Sequence, residues 1–327
     1  MNRLILNVSL KSAFRKIFTF KEGGILLSLI IIYGVVHFLS PNFSTYFNIS
    51  TIVLDISFLG MVALGETLVL IGGGIDLSIG GIAGLSGIVA GLLMVNSSIP
   101  PLACVVMGIF VGTGCGLLNA LLIIKLKIHP LIVTLGTGEI FSGLVLIITK
   151  GLAIVRIPKS VYFLGQAKIL GIPLPAIILI VTLIILQFIL SKTVIGRRIF
   201  VLGGSEETAD LLGISPAHLK FIIYSIAGTL YGFAGVVMVA RLTSAQPTIG
   251  QYWILPAVAA AVIGGTSLMG GEGTLVGSII GSAIMRILGN AIIILGISTY
   301  AERAVVGSLV IVAVFIDVVR RGVWRMR

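Results

Sequence analysis

Charge is what this chain has least of. Only 10% of its 327 residues are Asp, Glu, Lys or Arg, whereas a soluble domain carries about 25%. That is too little polar surface to cover a globule, which excludes a large soluble domain. Cysteine is almost missing as well. Cys104 and Cys115 are the two present, and their separation within one apolar run is too long for a disulfide in a straight helix. They are expected to be small packing residues. His37, His129 and His218 are scattered, and no Cys/His cluster has the spacing of a metal site. There is no G-x-x-x-x-G-K-[ST] loop, so nucleotide chemistry would have to come from another chain. No basic stretch interleaves with aromatics, so no nucleic-acid partner is expected. No nucleophile–base set or carboxylate pair stands at a useful spacing, and no enzyme is expected.

What the chain does have is hydrophobicity. Apolar residues make up 57% of it and the mean hydropathy is +1.21. The runs are too long and too continuous for barrel strands, so the expected fold is all-α, a single polytopic membrane domain over 1–327. About ten spans are expected, near 24–40, 51–72, 78–95, 102–124, 129–149, 172–191, 220–240, 254–268, 274–296 and 300–318. Five basic residues precede the first run, and no A-x-A site follows a short apolar core, so the first span is expected to be retained. With both termini cytoplasmic, fifteen of the 22 Lys and Arg residues lie inside, six lie outside, and Arg286 falls within a span. That bias agrees with the preference for basic residues on the cytoplasmic side.

The longest inside loop, 192–219, is also the most polar, and it contains GGSEETADLLGISP. Ser205 after Gly204 is a natural N-cap, Glu206 and Glu207 suit the first turn, and Gly213 with Pro216 ends the element. Glu206, Glu207 and Asp210 are expected on one side of a short amphipathic helix. Acidic residues disfavour anionic headgroups, so its expected partner is a protein.

Glycines fall into two patterns. Gly108, Gly112 and Gly116, like Gly273, Gly277 and Gly281, recur every fourth residue, which lets membrane helices pack closely. The stretch IGGGIDLSIGG from Ile71 to Gly81 is different, because its glycines cluster around one acid, Asp76. Gly73, Gly74, Leu77 and Gly80 recur as Gly264, Gly265, Leu268 and Gly271, all displaced by 191 positions. Paired glycine-broken apolar segments in two halves are a mark of transporters built from repeats. Asp76 is read first as an acceptor for backbone N–H groups at a helix start, with substrate contact as the rival.

Five segments together resemble one family. GGIDLSIGG, LKIHPLIVTLGT, GRRIFVLGGSEETADLLGI, VARLTSAQPTIG and IGGTSLMGGEGTLVGSIIG are similar, in this order, to the permeases of ribose-type sugar ABC importers. The resemblance covers about residues 24 to 318. It implies an inner-membrane protein working as two permease copies with ABC ATPase subunits and a periplasmic or lipoprotein sugar-binding protein. ATP and Mg would be used by the ATPase, with no cofactor in this chain. It implies further that the helix at 205–213 is the coupling helix. The chain departs from the family at Ser142, where a cation is frequent, and at Arg286.

Such a permease moves a monosaccharide by alternating access. Asn119, Gln246 and Asn290, with the glycine breaks, are the candidates for lining its path. The competing reading is an ion-coupled secondary transporter of a small polar solute, using Asp55, Glu66, Asp76 or Glu139. Arg286 lies about 20 Å along its span from Gly273. It is read first as snorkelling or facing a water-filled cavity, with an ion pair to an intramembrane acid, Glu66 in preference to Glu139, as the sharper alternative.

Overall fold

The computed structural model describes residues 22–298 and 300–320. The basic residues expected at the extreme N-terminus, Arg3 to Lys21, and those at the C-terminus beyond Arg320, lie outside them. Thirteen α-helices occur among the described residues: α1 (Gly23–Leu39), α2 (Tyr46–Ile71), α3 (Ile79–Asn96), α4 (Pro101–Leu126), α5 (Pro130–Thr149), α6 (Phe163–Gln166), α7 (Leu174–Lys192), α8 (Val194–Gly204), α9 (Glu206–Leu211), α10 (Pro216–Leu242), α11 (Ile254–Ile263), α12 (Leu275–Ile294) and α13 (Tyr300–Arg320). One two-stranded hairpin, β1 (Lys168–Ile169) and β2 (Ile172–Pro173), stands between α6 and α7.

Seven helices are long and apolar enough to cross a membrane: α2, α3, α4, α5, α7, α10 and α12. Proline opens α4, α5 and α10, where its missing N–H is no loss. Thr45, Thr193 and Thr274 cap α2, α8 and α12 through their hydroxyls.

The span expected at 254–268 differs from the others. Its helix, α11, has ten residues, about 15 Å of rise, half of a hydrocarbon core. The other half is non-helical chain, a run of turns in which Ile249, Gln251 and Trp253 N–H donate to the carbonyls of Gln246, Thr248 and Gly250. Residues 245–250 lie along α3, where a side chain on Gly91 would meet Ala245 and one on Gly80 would meet the Gly250 carbonyl. The crossing is therefore half loop and half helix, and it ends in the turn that follows Gly264.

Helix α10 is the centre of the packing. A Cβ on Gly112 would meet the Gly228 carbonyl at 2.5 Å, and one on Gly116 would strike the Tyr224 carbonyl. Both of these α4 glycines thus serve close helix approach. Gly277 and Gly281 do the same for α12 against Gly264 and Ala260 of α11. Hydroxyl pairs join the helices: Thr67 with Ser278 at 2.6 Å and Thr113 with Thr229 at 2.8 Å. Cys104 and Cys115 are free and buried.

Asn48 of α2 and Asn290 of α12 exchange amide hydrogen bonds of 3.0 and 2.8 Å. Asn290, expected as a path residue, is thereby engaged in helix packing. Such reciprocal bonds predict a double-mutant signature. Asn290→Ala should destabilise the detergent-solubilised protein by about 1 kcal/mol, because Asn48 Oδ1 loses its donor while Asn48 Nδ2 keeps its bond to the Phe43 carbonyl. Adding Asn48→Ala should then cost less than its own single change does. Strictly additive losses in thermal unfolding would show that the pair contributes no coupling.

Candidate functional site

Helix α2 ends in a Schellman turn. The N–H groups of Gly73 and Gly74 donate to the carbonyls of Leu70 and Val69, and Gly73 has φ +78°. Only glycine adopts that conformation without strain. Helix α11 ends identically: Gly265 and Thr266 donate to Val262 and Ala261, and Gly265 has φ +90°. The two breaks are therefore related by 192 positions, not the 191 read from glycine identity. Gly73 corresponds to Gly265, and Gly72 to Gly264. The lettered match slipped by one because each turn begins with adjacent glycines, of which one alone takes positive φ.

The first turn meets the loop that follows the second. The Gly271 N–H donates to the Ile71 carbonyl at 3.0 Å. Gly203, near the end of α8, lies between them: a Cβ there would strike the Ile71 carbonyl and approach Gly271 N within 2.6 Å. A Cβ on Gly270 would sit 2.8 Å from the Gly73 Cα and 2.5 Å from the Gly203 carbonyl. Three backbones thus touch where α8 leads into α9. Helix α9 begins as its sequence directs, with the Ser205 hydroxyl accepting from Thr208 N–H at 3.1 Å. Gly213, at φ +71°, follows its end.

The acidic face expected of α9 is divided. Glu206 turns back to Lys220 of α10, with Nζ to Oε1 at 2.7 Å, while Glu207 and Asp210 are exposed. Leu211 and Leu212, the last residue of the helix and its C-cap, are 84% and 65% exposed. Beside this helix a cavity of about 270 Å³ runs from Glu206, Lys220 and His129 to Gly203, Gly73 and Tyr224.

Behind the first turn lies a buried polar network. Asp76 Oδ1 accepts from the Ser78 N–H at 2.8 Å and the Ser78 hydroxyl at 2.5 Å. Ser78 Oγ accepts from Asn119 Nδ2 at 2.8 Å, and Asn119 Oδ1 accepts from Thr137 at 2.7 Å. The Leu77 N–H donates to Thr134 at 3.0 Å. Glu66 of α2 accepts from the Asp76 N–H at 3.4 Å and the Tyr231 hydroxyl at 3.2 Å. One irregular loop is thereby fastened to α2, α3, α4, α5 and α10. This supplies the partners that backbone outside a helix requires at membrane depth. Asn119, a second expected path residue, uses both ends of its amide here.

The alternative pairing of Arg286 with Glu66 does not form. Helix α12 meets α2 through Ser278 and Thr67, and Arg286 lies two turns, about 12 Å, further along α12. Glu66 instead faces the turn and α10. Glu139, the other acid considered, is exposed on α5. Asp55, another acid considered, binds Arg241 at 2.6 Å, and Arg241 also lies over the Phe58 ring at 5.5 Å. Gln246 donates locally to Ser244 at 3.3 Å in the non-helical half of the broken crossing. Spacing alone pointed neither to Tyr231, Thr134 and Thr137 nor to the Asp55–Arg241 pair. The available signal was the glycine turn itself, which folds residue 76 back beside residue 66.

Comparison with known proteins bears on this machinery directly. Residues 48–314 match the family described as "Branched-chain amino acid transport system / permease component". The ribose import permease protein of Bacillus subtilis (strain 168) is 40% identical over 297 residues, covering 90% of this chain and 92% of its own. The D-allose transport system permease protein of Escherichia coli (strain K12) is 35% identical over 316 residues, covering 96% and 97%. The L-arabinose ABC transporter permease protein of Azospirillum brasilense is 32% identical over 301 residues, covering 92% and 88%. No solved structure matches the chain. A polytopic helical chain with two equivalent glycine turns, matched from α2 into α13, belongs to this family of transport-system permease components.

Proposed function

We propose that this chain is the membrane-spanning subunit of an ATP-binding cassette importer of the bacterial inner membrane, and that its cargo is a monosaccharide. The relatives named for ribose, allose and arabinose support the cargo class. The observation that carries the mechanism is the contact of Gly203 with the turn that ends α2 and with Gly270 and Gly271, in the loop that follows the turn after α11. Helix α9 is short and capped, with exposed Glu207, Asp210, Leu211 and Leu212. This mixed apolar and acidic tip suits the groove of a cytoplasmic ATPase, which would hold the ATP and Mg. Movement of α9 passes through Gly203 into the turn at 72–74 and into the loop at 270–271, which leads from α11 to α12. Rigid-body tilting of packed helices about such irregular points is one way to alternate access. A second permease copy and an extracytoplasmic sugar-binding protein complete the assembly under this reading.

The test is co-purification. Glu207→Lys combined with Leu211→Asp should lower recovery of the ATPase with tagged permease by at least about tenfold, the scale expected when contacts at a docking tip are lost. Membrane insertion should be unchanged, because neither side chain packs inside the chain. Full recovery of the ATPase together with normal sugar uptake would sink the assignment of α9. Glu206→Lys is the less informative variant, since it also breaks the link to Lys220.

A further inference from the structure

The segment 150–173 runs against the charge rule, holding four of the six basic residues placed outside. It joins α5 to α7, and α7 crosses away from it to α8 and α9. It therefore lies on the face opposite the proposed ATPase. It carries Lys150, Arg156, Lys159 and Lys168 and no acidic residue. All four basic side chains are exposed, and neither described salt bridge involves them. Basic residues in short outer loops oppose the orientation the remaining charges set. Their presence calls for a reason outside membrane insertion.

The backbone here is also strained. Lys150, Arg156 and Leu170 have φ of +53°, +66° and +51°, three of the five non-glycine residues with positive φ among the described residues. Each costs on the order of 1 kcal/mol relative to a right-handed conformation. Leu170 and Gly171, both at positive φ, form the two-residue turn of the β1–β2 hairpin. Leu170 is 98% exposed. A turn of this kind favours Asn or Gly, so a leucine held here in water is disfavoured on two counts.

The hairpin is held firmly nonetheless. The Tyr46 hydroxyl donates to the Gly171 carbonyl at 3.2 Å, and Lys168 Nζ lies 5.1 Å from the centre of the Tyr46 ring. Gln166 Nε2 donates to the Arg241 carbonyl at 3.0 Å. Ile154 and Ala245 exchange two backbone bonds of 2.9 Å. The loop is thereby clamped to the entrance of the broken crossing, where the non-helical chain at 245–250 follows α10 and runs along α3.

We infer that residues 150–173 form the docking platform for an acidic surface of the extracytoplasmic sugar-binding protein, with the four basic side chains as its charge contacts and Leu170 as its apolar knob. This rests on the importer reading above. The charge of the loop selects an acidic partner, its side of the membrane selects an extracytoplasmic one, and its clamp to residue 245 places that partner over the broken crossing. Rim charges of this sort act chiefly on association rate and salt dependence.

The test uses the complete permease–ATPase complex in liposomes and a purified, sugar-loaded binding protein that stimulates its ATP hydrolysis. Lys159→Glu with Lys168→Glu should raise the half-saturating concentration of binding protein by about tenfold at low salt and flatten its salt dependence. Leu170→Gly relieves the turn, so its unfolding temperature should equal or exceed that of the wild type. It should still raise the half-saturating concentration severalfold. A merely structural loop would show no loss with Leu170→Gly. Unchanged half-saturation in both variants overturns the platform while leaving the importer reading intact. Stimulation of the wild type by no sugar-binding protein overturns both. A defect confined to anionic bilayers would assign the charges to lipid headgroups and overturn the platform as well.

Discussion

Gly203→Ala is expected to remove sugar uptake almost entirely. The added methyl would strike the Ile71 carbonyl and crowd the Gly271 N–H within 2.6 Å. These neighbours are backbone, and the Ile71 carbonyl is already bonded to the Gly271 N–H. No flexible side chain can swing aside. Overpacking commonly costs about 1–3 kcal/mol where side chains can adjust, and here three chain segments would have to separate. Two outcomes fit: loss of folded permease, or a folded protein with at least about tenfold lower uptake and normal ATPase recovery. The second would separate transmission from docking, because α9 itself is untouched. The neighbouring Gly204→Ala is the control, since a Cβ at Gly204 has nothing within 4 Å. Equal behaviour of the two variants, measured by uptake and by yield in detergent, would contradict the proposed role of this contact.

The other large effect is expected at Asp76. Its Oδ1 accepts from both the Ser78 N–H and the Ser78 hydroxyl, and the residue is fully buried. Asp76→Leu removes the acceptor while both donors remain inside the protein. Each unsatisfied buried donor costs about 1–3 kcal/mol. The Asn119 bond to Ser78 depends on the same geometry, so the loss extends into α4 and α5. Uptake and yield should both collapse. Asp76→Asn retains an acceptor oxygen and should keep most of the wild-type uptake. Equal loss in the two variants would mean that the charge itself is required, and would revive direct contact with the cargo.

These two positions show what the sequence made legible. The glycine cluster, the capped helix at 206–211 and the close-packing glycines of α4 were readable because each is a local rule: positive φ, an N-cap hydroxyl, a missing Cβ. The long apolar spans followed from hydropathy over about 20 residues. The Glu66–Asp76 contact and the Asn48–Asn290 pair were not readable, since each depends on how helices dock. Arg286 shows the same limit. Its depth in a span signalled a need for a polar neighbour, but not which helix would supply it. The register of the repeat was missed for a different reason. Glycine letters cannot tell which of two adjacent residues takes the left-handed conformation, whereas the hydrogen bonds at 73–74 and 265–266 can. The ten-residue α11 was hidden because half of that crossing is a run of turns resting on the small residues of α3.

Cys104 and Cys115 are both enclosed among packed helices, at 0% and 7% exposure, so a polar maleimide in the surrounding water has no native thiol to reach. The natural chain can therefore serve directly as the background for single-site labelling, without first being made cysteine-free. A thiol introduced at Leu170 and one introduced at Leu211 would carry a reporter on opposite faces of the membrane. Sealed cells and inverted vesicles would then read the orientation of each face, and the distance between the two reporters would follow the protein through its cycle.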